Sequence, residues 1–442
     1  MKTEALFIAG VATYLPPATK VEQAVADGRF DAQDAEDTQL ESVCEATDEA
    51  PPEMAVAAAR DALGRSGHRA DDIALLLHAC VYFQGLELYP TASYIHREVL
   101  GDHSALAFEV KNASNGCMTA LDIAARSLAA TDDVAALVTT ADKVSPPAID
   151  RWNSDIGIVP GDGASAMVLS KRSGFARVLS TSTVSDPTLE RLHRGDAPFT
   201  PHHDPTLPID LRLRKLQYLG DVELDEFTRR FRAGLSDCVD RALRDADIRL
   251  GDIARFVVPH FGRIVLQREV LAALDIDLDL TTWSWGRTVG HLGAGDQIAG
   301  LGHLVEERAV DVGDLVMLLG VGAGFTWTCA VVRIAELPEW PVRSAGSGLG
   351  AGGADALLRV PRAGHPEEGD GTEPVRQVPR PPSPRRPGAR IPDRRALSGE
   401  PGTTAVRYGV RAARDLRRQR AALVGGPGGS ATRGLLRGPQ PR

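Results

Sequence analysis

Two stretches of this chain repeat each other at a constant offset of 180 residues, and nothing else constrains the fold as strongly. Ala62 stands eleven residues ahead of Ile73, within a segment whose strand DDIALLLHAC ends on Cys80. Ala242 stands eleven residues ahead of Ile253, and GDIARFVVPH ends on His260. The helix-patterned run after Cys117 and the apolar segment Val134–Thr139 find counterparts in Gly293–Arg308 and Leu315–Leu319. Finally GDGASAMVLS, Gly161–Ser170, is echoed by GVGAGFTWTCAVVRI, Gly320–Ile334. A repeat of this length predicts a duplicated α/β unit, not a solenoid. Strands such as Ile73–Cys80 and Val134–Thr139 are apolar throughout, so they are expected to be buried on both faces.

Two halves, 1–172 and 173–340, related by a pseudo-twofold axis would bring equivalent positions together at their junction. Cys117 begins the helix of the first half, and His291 begins the matching helix of the second. His260 ends the strand that matches the one ending at Cys80. Three reactive side chains therefore converge. Cys117 follows the turn Ser114-Asn115-Gly116 and leads a helical pattern, Met118, Leu121, Ile123, Ala124 and Leu128. At such a position the unpaired N–H groups and the macrodipole favour thiolate over thiol, and thiolate is the nucleophile that attacks thioesters. A buried free cysteine is the ordinary alternative.

Around this frame the pattern predicts a strand at Ala5–Val11, a polar acidic stretch to about Pro52 and an amphipathic helix at Glu53–Ser66. A helix at Pro90–Leu100 with proline at its first position and a strand at Ala105–Val110 follow. Gly161-Asp162-Gly163 reads as structural, being too short for a phosphate loop and lacking a following lysine. His202-His203-Asp204, among prolines, reads as loop in preference to a metal site. The segments Thr181–Leu219, a loop-rich insertion, and Tyr82–Tyr89 are expected to shape the substrate pockets.

Composition narrows the class. The five cysteines are an odd number, far apart and without a CxxC pair, which argues against a disulfide framework or zinc site and fits a reducing cytoplasm. No apolar run reaches the ~18–20 residues of a membrane span. Net charge is −9, but it is split. Residues 341–442 carry 19 Arg, no Lys, 8 Asp+Glu and 14 of the 29 prolines, for a net +11; the preceding 340 residues stand at −20. The segment has no helical or strand period and reads as a disordered Arg/Pro/Gly-rich tail. Tyr408 is its only aromatic residue, which argues against a nucleic-acid-binding arm. Arginine without lysine is also what a GC-rich gene yields when read out of frame.

IAGVATYLPP, VKNASNGCMTALDIA, VPGDGASAMVLS, VVPH and GVGAGFTWTCAVVRI together resemble the ketoacyl-ACP synthase III group of the thiolase superfamily. The likeness runs in order from Ala5 to about Trp340, roughly three quarters of the chain. It implies a five-layer αβαβα fold built from two duplicated halves and a homodimer. It also implies no resident cofactor or metal, and acyl groups delivered as phosphopantetheine thioesters of acyl carrier protein or CoA. Two departures matter. Members that condense malonyl-ACP by decarboxylation have Asn where His291 stands, and they follow the strand-end histidine with Gln-Ala-Asn, where this chain has Phe261-Gly262-Arg263. A Cys, a His and an Asp five residues later are similar to a subgroup that transfers acyl groups without condensation in antibiotic pathways.

The expectation is thus an acyltransferase with Cys117 as nucleophile, His291 as base and Asp296 as its orienter. The alternative is a decarboxylating synthase built on Cys117, His260 and His291, and a catalytically dead subunit is the non-enzyme reading. Five residues apart on an ideal helix, His291 and Asp296 would point ~140° away from each other. Their contact therefore requires His291 in the turn and Asp296 in the first helical turn, with Gly290, Gly293 and Gly295 making the turn reachable. The alternative for Asp296 is a first-turn acid favoured by the dipole. His260 reads either as a group binding the thioester oxygen or acceptor, or as a structural histidine. The oxyanion is expected to meet backbone N–H groups of Cys117 and of the Gly322-Ala323-Gly324 turn, so Ala323 and Gly324 join the candidates. Deleting Ser344–Arg442 should leave melting temperature and turnover unchanged, because that segment offers no core-forming pattern; a large drop in melting temperature would refute this.

Overall fold

The computed structural model describes residues 1–201 and 207–340; His202-His203-Asp204 and the segment 341–442 lie outside them. In chain order, strand β1 (Phe7–Tyr14) leads to β2 (Ala18–Lys20), helices α1 (Val21–Ala26) and α2 (Ala32–Thr38), and β3 (Ser42–Cys44). Helix α3 (Pro51–Arg65), β4 (Ile73–Ala79), α4 (Thr91–Leu100), β5 (Leu106–Val110), α5 (Gly116–Ala130), β6 (Ala135–Asp142) and β7 (Gly163–Ser170) complete the first half. The second half holds β8 (Ala176–Ser185), α6 (Arg191–Arg194), α7 (Leu211–Asp221), α8 (Leu224–Ala246) and β9 (Arg255–Val257). It continues through α9 (Arg263–Leu266), α10 (Ala272–Leu274), α11 (Trp283–Gly286), α12 (Asp296–Glu306), β10 (Leu315–Gly322) and β11 (Thr326–Ile334).

The large sheet has the order β5-β4-β6-β7-β1-β8-β11-β10-β9. Its middle is a seam, because β1 meets β8 through only two residue pairs, Phe7 with Arg177 and Ile8 with Ala176. On either side of the seam the strands follow the same scheme. Each side holds a parallel pair (β4 and β6; β9 and β10 on the far side) preceded in the chain by a helix, and each ends in an antiparallel strand. The counterpart of β5 is reduced in the second half to a single bridge between Phe256 and Thr281.

The helices form three layers. α3 and α4 pack on one outer face, and α8 packs on the other. α5 and α12 lie between, each touching strands of both halves. The central core accordingly mixes Met118, Leu121 and Leu128 of α5 with Ile298 and Leu301 of α12, under Val138 of one half and Leu318 of the other. Local chemistry explains the outer helices. Pro51 occupies the first position of α3, where no N–H is needed, and the Glu53 carboxylate accepts from Ala50 N at 2.8 Å. In α8 the buried residues Phe227, Phe231, Leu235, Cys238 and Ala242 recur at helical spacing. This is the five-layer thiolase-like α/β architecture expected from the duplication.

Several local expectations are corrected. The acidic stretch before Pro52, for which the pattern predicts no element, folds into α1, α2 and the antiparallel pair β2–β3, anchored by Val21, Ala24, Phe30, Leu40 and Val43. Pro90 is the residue before α4 and not its first, since its carbonyl accepts from Ser93 N. The segment Thr181–Leu219 is only partly loop: its start belongs to β8 and its end to α7. Gly161-Asp162-Gly163 is structural, as read. Asp162 is fully buried, accepts from Ala46 N and Val144 N, and pairs with Arg151 at 2.8 Å. Among the described residues no helix is long and apolar enough to cross a membrane, and no His/Cys/Asp/Glu group is arranged to hold a metal. Asp162→Ala leaves buried Arg151 with only its longer 3.7 Å contact to Glu45, and should lower unfolding stability by up to ~3 kcal/mol in urea titration. A loss near zero would mean that the pair is replaceable.

Candidate active site

Cys117 is the second residue of α5 and is completely buried. The turn before it is held by Asn115, whose side-chain amide nitrogen, with two N–H bonds to give, lies within hydrogen-bond distance of Asn112 Oδ1, Thr119 Oγ1 and Thr328 Oγ1. Gly116 is required here, because a Cβ would come within 2.9 Å of Ala294 and of Ala79. Cys117 N donates to Ala294 O at 3.2 Å. The thiol donates to Gln297 Oε1 at 3.2 Å, and Gln297 Nε2 in turn donates to Leu319 O at 2.8 Å. Gln297 is the residue 180 positions after Cys117, so the two equivalent first turns touch at the pseudo-twofold axis.

Burial, and next the Asp296 charge, push the Cys117 thiol up to about 12. The helix N-terminus does not offset this. The expectation of a resting thiolate is therefore corrected: desolvation of the charged form outweighs the macrodipole, and the resting group is a thiol.

His291 and Asp296 meet as their spacing allows. His291 lies in the turn, bonded through its own N–H to Val159 O and through its carbonyl to Gly161 N, and Asp296 is the first residue of α12. His291 Nδ1 donates to Asp296 Oδ2 at 2.6 Å. The positive φ of Gly290 and Gly293 turns the chain back between them. Asp296 also accepts from Leu292 N and from His260 N, both at 2.8 Å. Burial opposes charge on both partners. The Asp296 carboxylate nevertheless raises His291 above its ordinary value, and the two imidazoles with their hydrogen bonds hold Asp296 below its own.

His260 stands three residues beyond β9 and not at its end. Its Nδ1 donates to Gly290 O at 3.1 Å and lies 3.3 Å from Asp296 Oδ1. The ring packs edge-on against Trp285, with Gly286 so close that a Cβ there would overlap it. His260 Nε2 is buried without a partner. Ala323 and Gly324 form the turn between β10 and β11, next to the segment entering α5, since Gly322 lies against Asn112 and Asn115. The second expected oxyanion donor, Cys117 N, is instead committed to Ala294 O.

Sequence reasoning missed three residues. Ser114 Oγ lies 2.7 Å from His291 Nε2, so His291 contacts Ser114, whereas the Cys117 thiol contacts Gln297. Asp142, at the end of β6, accepts from Val81 N, Tyr82 N and Ala294 N, and burial raises its carboxyl to about 6. Only its position at a strand end hinted at this.

A family profile for 3-oxoacyl-[acyl-carrier-protein] synthase III matches residues 108–187, and the profile for the C-terminal part of the same family matches 243–334. The solved structure of the acyltransferase ChlB3 is 34% identical, superposes with a TM-score of 0.72 and is covered over 100% of its length by 76% of this chain. The chain belongs to the 3-oxoacyl-[acyl-carrier-protein] synthase III family. Among the family's curated members, the β-ketoacyl-[acyl-carrier-protein] synthase III of Clostridium novyi is 26% identical over 282 residues, 63% of this chain and 83% of that one. The synthase III structure from Xanthomonas oryzae pv. oryzae, at 20% identity and a TM-score of 0.61, covers 75% of this chain and 100% of its own, and shares the fold.

All five cysteines are buried. Alkylation of Cys117 by iodoacetamide should therefore be slow at pH 7 and keep rising into the alkaline range. A rate that has already levelled off at neutral pH would overturn the resting-thiol assignment.

Proposed function

We propose that this synthase III family enzyme is an acyltransferase of polyketide or antibiotic biosynthesis. It takes an acyl group from an acyl-carrier-protein or CoA thioester onto Cys117 and passes it to a hydroxyl, an amine or a carrier-protein acceptor. The observation that carries this reading is the 2.6 Å contact between His291 Nδ1 and Asp296. It leaves His291 Nε2 as the working nitrogen and supports the positive charge that proton abstraction creates there. A thiol raised to about 12 needs a base before it can attack, so His291 serves twice. It first takes the Cys117 proton and passes it to the departing carrier thiolate as the donor's C–S bond breaks, then takes the acceptor's proton and returns it to the Cys117 sulfur as the acyl group leaves. The chemistry calls on a nucleophile and an oriented base, with no resident cofactor. The name of ChlB3, an acyltransferase, agrees with this choice. The homodimer reading is supported by β5, an edge strand that leaves Leu106 and Phe108 more than half exposed.

The second reading, decarboxylative condensation, is favoured by the names of curated relatives such as those of Clostridium novyi and Aquifex aeolicus, both β-ketoacyl-[acyl-carrier-protein] synthases III. It needs a donor aimed at an enolate. Because Gly290 O can only accept, His260 Nδ1 carries the proton, and burial lowers the ring below its usual range and keeps it neutral. His260 Nε2 then bears a lone pair and cannot donate. This argues for acyl transfer.

Asp296→Asn separates the two. If His291 is the base, transfer should fall by orders of magnitude; in the serine-protease template the analogous change costs ~10⁴. The acid limb of the pH–rate profile, set above about 6.5 by the raised His291, should also move down in the variant. Cys117→Ala should abolish the acyl-enzyme in intact-mass spectra. Release of CO2 from malonyl-ACP coupled to a new carbon–carbon bond, insensitive to Asp296→Asn and stopped by His260→Ala, would establish the condensing reading instead.

A further inference from the structure

His291 is aligned on two sides. Asp296 takes its Nδ1 proton at 2.6 Å, and Ser114 Oγ meets its Nε2 at 2.7 Å. Ser114–His291–Asp296 is thus a nucleophile–base–orienter line in its own right, and the base contacts the hydroxyl and not the thiol. Ser114 sits where this could matter. It lies one turn ahead of Cys117, a spacing that puts side chains beside each other at a helix start. It is partly exposed, whereas Cys117 is wholly buried. The residue before it, Ala113, holds a left-handed φ of 46°, which a side-chain-bearing residue rarely adopts. That conformation lies within the turn that presents Ser114 to His291.

We infer that Ser114 is a second acyl-carrying residue, receiving the acyl group from Cys117 before the external acceptor does. This rests on the acyl-enzyme proposed above. In the step, Ser114 Oγ forms a C–O bond to the acyl carbon and gives its proton to His291 Nε2. The C–S bond to Cys117 breaks, and the departing thiolate takes that proton from His291. A thioester and a hydroxyl become an oxygen ester and a thiol, with no change of oxidation state. The acceptor then attacks the ester carbon, its proton passing through His291 to Ser114 Oγ. Transfer moves the acyl group from a closed position to one that a bulky acceptor can approach, and exchanges a reactive thioester for an ester that resists stray hydrolysis.

The experiment loads the full-length wild type, Ser114→Ala and His291→Gln with acetyl, malonyl and benzoyl N-acetylcysteamine thioesters. Each sample is quenched and split, half is treated with neutral hydroxylamine, which cleaves thioesters and spares oxygen esters, and the adduct is located by tandem mass spectrometry. The expected wild type shows a hydroxylamine-resistant adduct on Ser114. Ser114→Ala should carry the acyl group on Cys117 alone, all of it hydroxylamine-labile, and His291→Gln, lacking the base for both steps, should load Cys117 only slowly and form no ester. An adduct confined to Cys117 in the wild type, with Ser114→Ala unchanged in distribution, overturns the inference and leaves the Cys117 acyl-enzyme standing. Absence of any Cys117 adduct in Ser114→Ala, with its melting temperature at the wild-type value, overturns the parent reading instead.

Discussion

Everything at the centre of this enzyme depends on one buried carboxylate. Asp296 is sealed from solvent, and an isolated charge there would be prohibitive. It is tolerated because four groups converge on it: the backbone N–H groups of Leu292 and His260, and the Nδ1 atoms of His291 and His260. The consequence runs both ways. The carboxylate orients His291, raises its pKa and fixes the turn from Gly290 to Gly295. The same charge helps to keep the Cys117 thiol protonated at rest. In linkage language, Asp296 contributes stability above the unfolded carboxyl pKa that is lost as pH falls through its depressed folded value. His291 contributes stability at low pH that is lost as pH rises through its raised value. The two overlap on the acid side of neutrality.

Duplication explains how such a site arises. Offsetting the chain by 180 residues places Cys117 opposite Gln297 and Gly116 opposite Asp296. The equivalent first turns of α5 and α12 meet at the axis, and each half contributes a different chemistry at matched positions. One supplies a thiol, the other an amide that holds it and an acid that drives the neighbouring imidazole. Gly116 permits the approach, since any side chain there would strike Ala294.

The features of the site that were legible in the sequence are those carried by local pattern. The repeat, the helix behind Cys117, and the requirement that His291 sit in a turn with Asp296 in the following helical turn all follow from spacing and glycine placement. What stayed hidden depends on partners far along the chain. Ser114 reads as an ordinary turn residue until His291, 177 positions away, is placed against it. Asp142 reads as a strand end until Ala294 and the Val81-Tyr82 backbone close around it. The thiolate expectation failed for a related reason. A helix N-terminus is visible in the sequence, but the degree of burial that overrides its dipole is set by the opposite half.

That hydrogen-bond chain constrains where negative charge can be stabilised during reaction. Asp142 fixes Ala294 N, and Ala294 O takes the N–H of Cys117. An oxyanion forming above the sulfur cannot use that N–H while the Gly293-Ala294 turn stays in place. Gly293 cannot yield by gaining a side chain either, because a Cβ would fall on the Asp142 carboxylate. Either the turn moves when an acyl group arrives, or the charge is met by the β10–β11 turn at Ala323 and Gly324, which lies beside the start of α5. The second route leaves the base, the thiol and their hydrogen bonds undisturbed. In the proposed reaction it would give the two halves complementary duties, with charge met by the strand turn of one half while Cys117 is presented by the helix of the other.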